Sequence, residues 1–250
     1  MKQPNGNEII QLFEQFAPKH LALDGDKIGL LIGTLNKPVK NILIALDVTD
    51  EVVDEAIEKN VQLIISHHPL IYHPLKTIRT EDAYGNIITK LIKHDIAVYA
   101  AHTNLDIADG GVNDMLCEKL KIQNPEVLVP TYEVQLRKLV VFAPKSHAEA
   151  IRKALGDAGA GAIGNYTHCS FSAEGYGRFL PGEGTNPFIG EAGRIEAVEE
   201  ERIETVYPVT IEKQVIKAML DAHPYEEPAY DIYPQELKGP VYGLDRKSVV

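Results

Sequence analysis

Three short apolar runs punctuate the first half of the chain: Ile42 to Leu46, Val61 to Ile65 and Ile96 to Ala101. Each gives way to a polar hinge and then to an amphipathic stretch of helical period. Val52, Val53, Ala56 and Ile57 predict a helix that Thr49 or Asp50 caps, with acids crowding its first turn. Tyr84, Ile87, Ile88, Leu91 and Ile92 predict a second over 82–94, and Val112, Met115, Leu116 and Leu120 a third over about 111–120. Ahead of all three, Ile9, Ile10, Leu12, Phe13 and Phe16 place a helix on 7–17 that Pro18 stops. Nearly uninterrupted apolar runs alternating with helices are the pattern of parallel strands covered on both faces. The fold class expected for residues 1–130 is therefore α/β, a parallel-rich sheet with helices on both faces, its strands at 42–46, 61–65 and 96–101 buried on each side.

The pattern changes after Pro130. Residues 133–143 alternate as a strand does, and Ser146 with Glu149 offers a capping box for a helix to about 157. Residues 164–174 read as a strand, followed by a Gly/Pro-rich connection at 179–184. A strand at 200–208, a helix at 211–222 and a strand at 229–233 complete the order β-α-β-β-α-β, the split unit of ferredoxin-like domains. An α+β ferredoxin-like domain at 131–238 is thus expected as an insert. Residues 239–250 are too few to form anything independent.

The chain has 250 residues, a net charge of −11 and only two cysteines, Cys117 and Cys169. An acidic balance argues against nucleic acid and anionic membrane surfaces as partners, because both select basic footprints. No apolar run approaches the roughly 18–20 residues of a membrane span. The N-terminus shows no signal-peptide h-region, and two isolated cysteines make no disulfide framework, so a cytoplasmic location is expected.

Ligands of open parallel sheets gather at the carboxyl ends of the strands. Here those ends carry Asp47, then His67-His68, then His102 with Asp106 one short loop onward. Such nitrogen and oxygen donors suit zinc, manganese or iron. Successive side chains of an extended chain point apart, so adjacent histidines suit two neighbouring ions, one each, with Asp106 as a bridge. Asp47 is better placed to cap the following helix. The segment His223-Pro224-Tyr225-Glu226-Glu227-Pro228 reads as a rigid turn entering a strand rather than as a metal site. Gly182 and Gly184 make no phosphate loop, since no GK[ST] follows.

At these residues the chain resembles the dinuclear-metal proteins labelled "GTP cyclohydrolase 1 type 2 homolog", the NGG-one-interacting-factor-three-like family. The matching stretches are GDKIGLLIG (25–33), ALDVTDEVVDEAIE (45–58), IISHHPLIYHPLK (64–76), IAVYAAHTNLDIADGGVND (96–114) and HPYEEPAYDIYP (223–234). The resemblance implies that His67, His68 and Asp106 are metal ligands, most simply for zinc, two ions to a subunit in the intact family. It places His102 at or beside the site, to orient ligands or carry a proton in catalysis. It implies a metal-dependent hydrolase acting on a nucleotide-like substrate, with a non-catalytic ring-forming metal scaffold or metallochaperone as the alternative. It also implies homohexameric rings, with trimer contacts through an insert similar to signalling and copper-tolerance proteins. In the family a return segment follows the insert through a GLGR-like link and brings a further His and Glu to the metals. Here Tyr242-Gly243-Leu244-Asp245-Arg246 reaches that link and the sequence stops at Val250, so 239–250 is expected to be the start of that segment, with those two ligands absent.

Overall fold

The computed structural model describes residues 3–248, which divide into two compact units, 3–132 with 241–248, and 133–240. The first unit opens with α1 (Gly6–Phe16), held at its start by a capping box in which Asn5 Oδ1 accepts from the helix backbone and Glu8 reaches back to the Asn5 N–H. A four-stranded sheet follows in the spatial order β1-β4-β3-β2, built from Gly29–Ile32, Ala97–Ala100, Leu63–Ser66 and Ile42–Ala45 respectively. β2, β3 and β4 run parallel, and β1 lies antiparallel on the outer side of β4. The three apolar runs thus form the parallel core of an α/β sheet, and β1 is an edge strand that the apolar pattern did not reveal.

Side-chain alternation sends the two faces of this sheet to different helices. Ile64 and Val98 pack with Val53 and Ala56 of α2 (Asp50–Glu58) and with Ile88 and Leu91 of α3 (Ala83–Lys93). Leu63, Ile65, Ala97 and Tyr99 pack on the other face with Ile10 of α1. Every residue of β3 and β4 is buried. β2 departs from the expectation of burial on both sides: Leu43 and Ala45 meet the α2/α3 core, whereas Ile42, Ile44 and Leu46 are exposed. It is the second edge strand of this sheet, and only one of its faces is covered. Gly33, at φ 79°, ends β1 where an added Cβ would stand 3.0 Å from the Ala97 Cα, so the close approach of β1 to β4 needs a glycine. α4 (Thr103–Ile107) and α5 (Val112–Leu120) complete the run.

The second unit has the order expected of a ferredoxin-like domain. β5 (Pro125–Pro144), α6 (Ala148–Asp157), β6 (Phe171–Phe179), β7 (Glu196–Pro208), α7 (Glu212–Ala222) and β8 (Tyr230–Ser248) follow in turn, the four strands in one sheet of order β6-β7-β5-β8, with β5 from 133 and β8 up to 240 belonging to this unit. β7 is antiparallel to both β5 and β6. Leu139, Val141, Ile203 and Tyr207 face Ile151 and Leu155 of α6 and Val215 and Met219 of α7, which is the core of this unit. Three expectations need correction. The Ser146–Glu149 capping box does not form: His147 is the N-cap residue, no side chain caps the helix, and Glu149 pairs with Arg152. The strand expected at 164–174 begins only at Phe171, after a turn in which Ile163 and Tyr166 exchange backbone hydrogen bonds. The final strand does not stop at 233 but continues through Pro234, Gly239, Pro240 and Gly243 to Ser248, so residues 239–248 extend an existing strand. Among the described residues no helix is long and apolar enough to cross a membrane.

Candidate metal centre

The parallel register brings three strand ends side by side. His67 N–H donates to Ala45 O and His68 N–H to Leu46 O, while Ala101 N–H donates to Ser66 O, so the ladder runs past the last strand residues into the loops that carry the side chains. One ring nitrogen from each of His67, His68 and His102 lies within 4.8 Å of the others. The His67 and His68 ring centroids are 5.2 Å apart, and those of His67 and His102 are 5.3 Å apart. Adjacent histidines were expected to point apart; they converge because both lie beyond Ser66, in a bend where strand alternation no longer applies.

Each of the three rings is fixed through its Nδ1. His67 Nδ1 is 3.0 Å from Ala101 O, which can only accept, so this nitrogen carries the proton and Nε2 is left with its lone pair. His68 Nδ1 is 2.7 Å from Asp47 Oδ1 and His102 Nδ1 is 2.9 Å from Asp26 Oδ1. A carboxylate or carbonyl on the far nitrogen is the arrangement that orients metal-binding histidines and sets their tautomer. Asp47 therefore does not cap α2. Thr49 does, accepting from Val52 N–H at 3.3 Å.

Asp26, which the sequence reading left without a role, is the most heavily bonded carboxylate here, its side chain only 4% exposed. It accepts from His102, from the Thr103 hydroxyl, from Thr103 N–H at 3.1 Å and from Lys27 N–H at 2.8 Å. Burial pushes its pKa up, but these donors outweigh burial and hold the carboxyl below its usual range. Leu23 N–H in turn donates to Thr103 Oγ1, which ties the 23–27 loop to the start of α4. A clue lay in the sequence, since Asp26 belongs to the GDKIG stretch, but its partners His102 and Thr103 lie 76 and 77 residues away.

Asp106 Oδ1 is 3.5 Å from His67 Nε2. Two donors sharing one tetrahedral ion at about 2.1 Å sit roughly 3.4 Å apart, so this spacing suits a common ion. Burial raises the Asp106 carboxyl above its usual range, and the neighbouring His67 and His102 offset part of that rise. Asn113 Nδ2 fixes the Asp106 carbonyl at 3.0 Å. The residues thus fit a divalent ion on the chemistry of the donor set: three imidazoles with their Nδ1 atoms occupied, one carboxylate beside them and, among the described residues, no lysine or arginine paired with any of the four. The Ser66 hydroxyl, buried next to His67, has no hydrogen-bond partner among the described residues. His223 lies outside this cluster. It is buried in the second unit, with Nε2 donating to Phe142 O at 3.0 Å and Nδ1 accepting from Tyr225 N–H at 3.1 Å.

Comparison with known proteins places the chain itself. A Bacillus subtilis protein described as "GTP cyclohydrolase 1 type 2 homolog" is 60% identical over 245 residues, covering 98% of this chain and 66% of that protein. A Listeria monocytogenes protein of the same description is 48% identical, over 100% of this chain and 67% of its own length. The crystal structure of a Bacillus cereus protein related to NIF3 superimposes with a TM-score of 0.88 at 62% identity, covering 98% of this chain and 65% of that one. A Staphylococcus aureus crystal structure gives 0.70 at 31% identity, covering 98% of this chain and 63% of that one. The chain spans about two thirds of the length of these relatives. The Duf34/NIF3 (NGG1p interacting factor 3) family matches residues 4–202, and with the high identities across both units it follows that this chain belongs to that family.

Proposed function

We propose that the first unit is the divalent-metal centre of a hydrolase acting on a nucleotide-like substrate. The observation that carries the reading is the shared fixing of His67, His68 and His102 through Nδ1, which leaves Nε2 as the nitrogen each ring has to offer. His67, His68 and His102 would hold the ion, and Asp106 would add a carboxylate to the set. In this reading His102 is a ligand of equal standing with the other two, because Asp26 fixes it as Asp47 fixes His68. A divalent ion bound there supplies Lewis acidity and lowers the pKa of water for attack on an electrophilic carbon. Asp26, Asp47 and Ala101 O orient the rings, and these supports typically contribute about 10–100-fold to metal affinity.

The relatives' description as cyclohydrolase homologs suggests a purine nucleotide as substrate, with ring opening and release of formate. Zinc is the ion favoured by a histidine-rich set with one carboxylate, and manganese and iron follow. Elemental analysis of the purified chain tests the metal, with His68→Ala and Asp26→Ala beside it. Bound metal is expected in the parent, little in His68→Ala, and an affinity lowered about 10–100-fold in Asp26→Ala. A parent that takes up no zinc, manganese or iron would overturn the reading. Formate released from GTP by the metal-loaded chain supports the hydrolase, and its absence with metal tightly bound favours a non-catalytic metal scaffold. The ring assembly implied by the resemblance belongs to the same proposal and is read by native mass measurement.

A further inference from the structure

The second unit contains a cavity of about 560 Å³ that the metal chemistry does not use. That volume falls within the range of small-molecule sites, roughly 300–1,000 Å³. It opens on the sheet face turned away from α6 and α7. Residues paired across antiparallel strands share a face, and here Gly175 is opposite Glu200, Ala173 opposite Arg202 and Phe142 opposite Arg202. Ala173, Gly175 and Gly177 leave this part of β6 without bulk, and a Cβ added at Gly175 would meet nothing within 4 Å. The walls are aromatic: Phe142, Tyr176, Phe179, Phe188 and Tyr225. Phe179 and Phe188 each approach the Tyr225 ring, at 6.0 and 6.3 Å between centroids.

One charge in this wall is built in. Glu200 is only 7% exposed, and its Oε1 accepts from the Tyr225 hydroxyl at 2.9 Å. Its Oε2 lies over Gly177, where an added Cβ would come within 2.1 Å, so glycine at 177 makes room for the carboxylate. Of the other charged groups in the wall, Glu174 pairs with Lys145, Arg202 with Glu204, and Glu226 accepts from Asn186 N–H. Exposed Arg178 and Glu227, of opposite sign, also border the cavity. Glu200 has no cationic partner among the described residues. A buried carboxylate without a counter-ion is costly unless a ligand or hydrogen bonds compensate it.

We propose that this cavity binds a small planar organic cation bearing two N–H donors on one edge, paired with Glu200 and stacked within the aromatic walls. Paired N–H donors match a carboxylate bidentately, and aromatic faces attract a desolvated cation. Benzamidine is the probe, because it carries a planar amidinium on a flat ring; benzamide has the same shape without the charge. Titration into the intact chain, followed by calorimetry and by the tyrosine ring resonances, is expected to show saturable benzamidine binding with benzamide at least about tenfold weaker. Glu200→Gln is expected to bring benzamidine down to the level of benzamide, and Gly175→Val, which fills the open space, to abolish both. Circular dichroism and melting curves establish that each variant is folded. Equal binding of the two probes, an unchanged Kd in folded Glu200→Gln, or no saturation by benzamidine in the millimolar range would each overturn the proposal. The comparison of the two probes on the unaltered chain decides the matter even where a variant fails to fold.

Discussion

The two sheets of this chain solve the same problem differently. In the first unit β3 and β4 are buried residue for residue, with helices against both faces, so no position within either strand can present a charged group to solvent. Polar chemistry is pushed to the strand ends, which is where Asp47, His67, His68 and His102 stand. In the second unit helices cover one face only, and the alternation of β7 sends Ile203, Thr205 and Tyr207 inward and Glu200, Arg202 and Glu204 to the other side. Its polar groups therefore sit on the sheet itself, around a cavity floored by small residues. Where a fold can place a site is set by how many sheet faces it buries.

The largest effect that would break this contrast comes from paired substitutions on opposite faces. Ile64→Ala and Ile65→Ala point to different cores, and each is expected to destabilise the chain by about 2–5 kcal/mol in denaturant titration. In the second unit Ile203→Ala should cost a similar amount, whereas its neighbour Arg202→Ala, on the open face in a half-exposed ion pair, should cost less than about 1 kcal/mol. A large loss at Arg202 would mean that the open face is structurally loaded after all.

A smaller effect concerns His223. Burial lowers its pKa, the Phe142 carbonyl at Nε2 opposes part of that, and Nδ1 must stay unprotonated to accept from Tyr225 N–H. A base whose folded pKa lies below its unfolded value binds its proton more readily when unfolded. Its stabilising contribution is therefore complete above the unfolded pKa, near 6.5, and is lost as pH falls from there toward the folded value. Melting temperature followed across this window should fall with acid in the parent and fall less steeply in His223→Gln. Parallel curves for the two proteins would show that His223 does not govern this dependence.

The smallest effect tests a sequence signal that the structure does not use. Ser146 donates no cap to α6 and only meets the His147 ring. Ser146→Ala should change stability by no more than about 0.5 kcal/mol, against the roughly 1 kcal/mol typical of a true N-cap.

That misleading box illustrates what the sequence could and could not disclose. Apolar runs of strand length followed by amphipathic helices were enough to read β2, β3, β4 and the helices between them, and in β3 and β4 the apolar run and the burial coincide. β1 escaped notice because its apolar residues Leu30–Ile32 lie between Gly29 and Gly33, both at positive φ, and it becomes a strand only through its pairing with β4. β8 was read too short because Pro234, Gly239, Pro240 and Gly243 resemble turn residues. Yet a Cβ at Gly243 would lie 2.0 Å from Val129 O, so that glycine marks a close approach to β5 and not a turn. For the site, the polar strand ends located the histidines, but Asp26 and the part played by Asp47 depended on contacts between distant segments. No local spacing encodes those.

The oxygen bound at each Nδ1 also bears on the order of events in the life of this protein. An imidazole tied to a carbonyl or carboxylate gives up its ring rotation when the chain folds, not when an ion arrives. The conformational entropy of arranging the donors is then charged to folding, so uptake of the proposed metal would be a late and separable step. Small zinc domains behave in the opposite way, because for them binding and folding are one transition. For an ion held as proposed, a chelator should remove it and leave the rings standing, and reloading should proceed at the pace of ligand exchange, without any refolding.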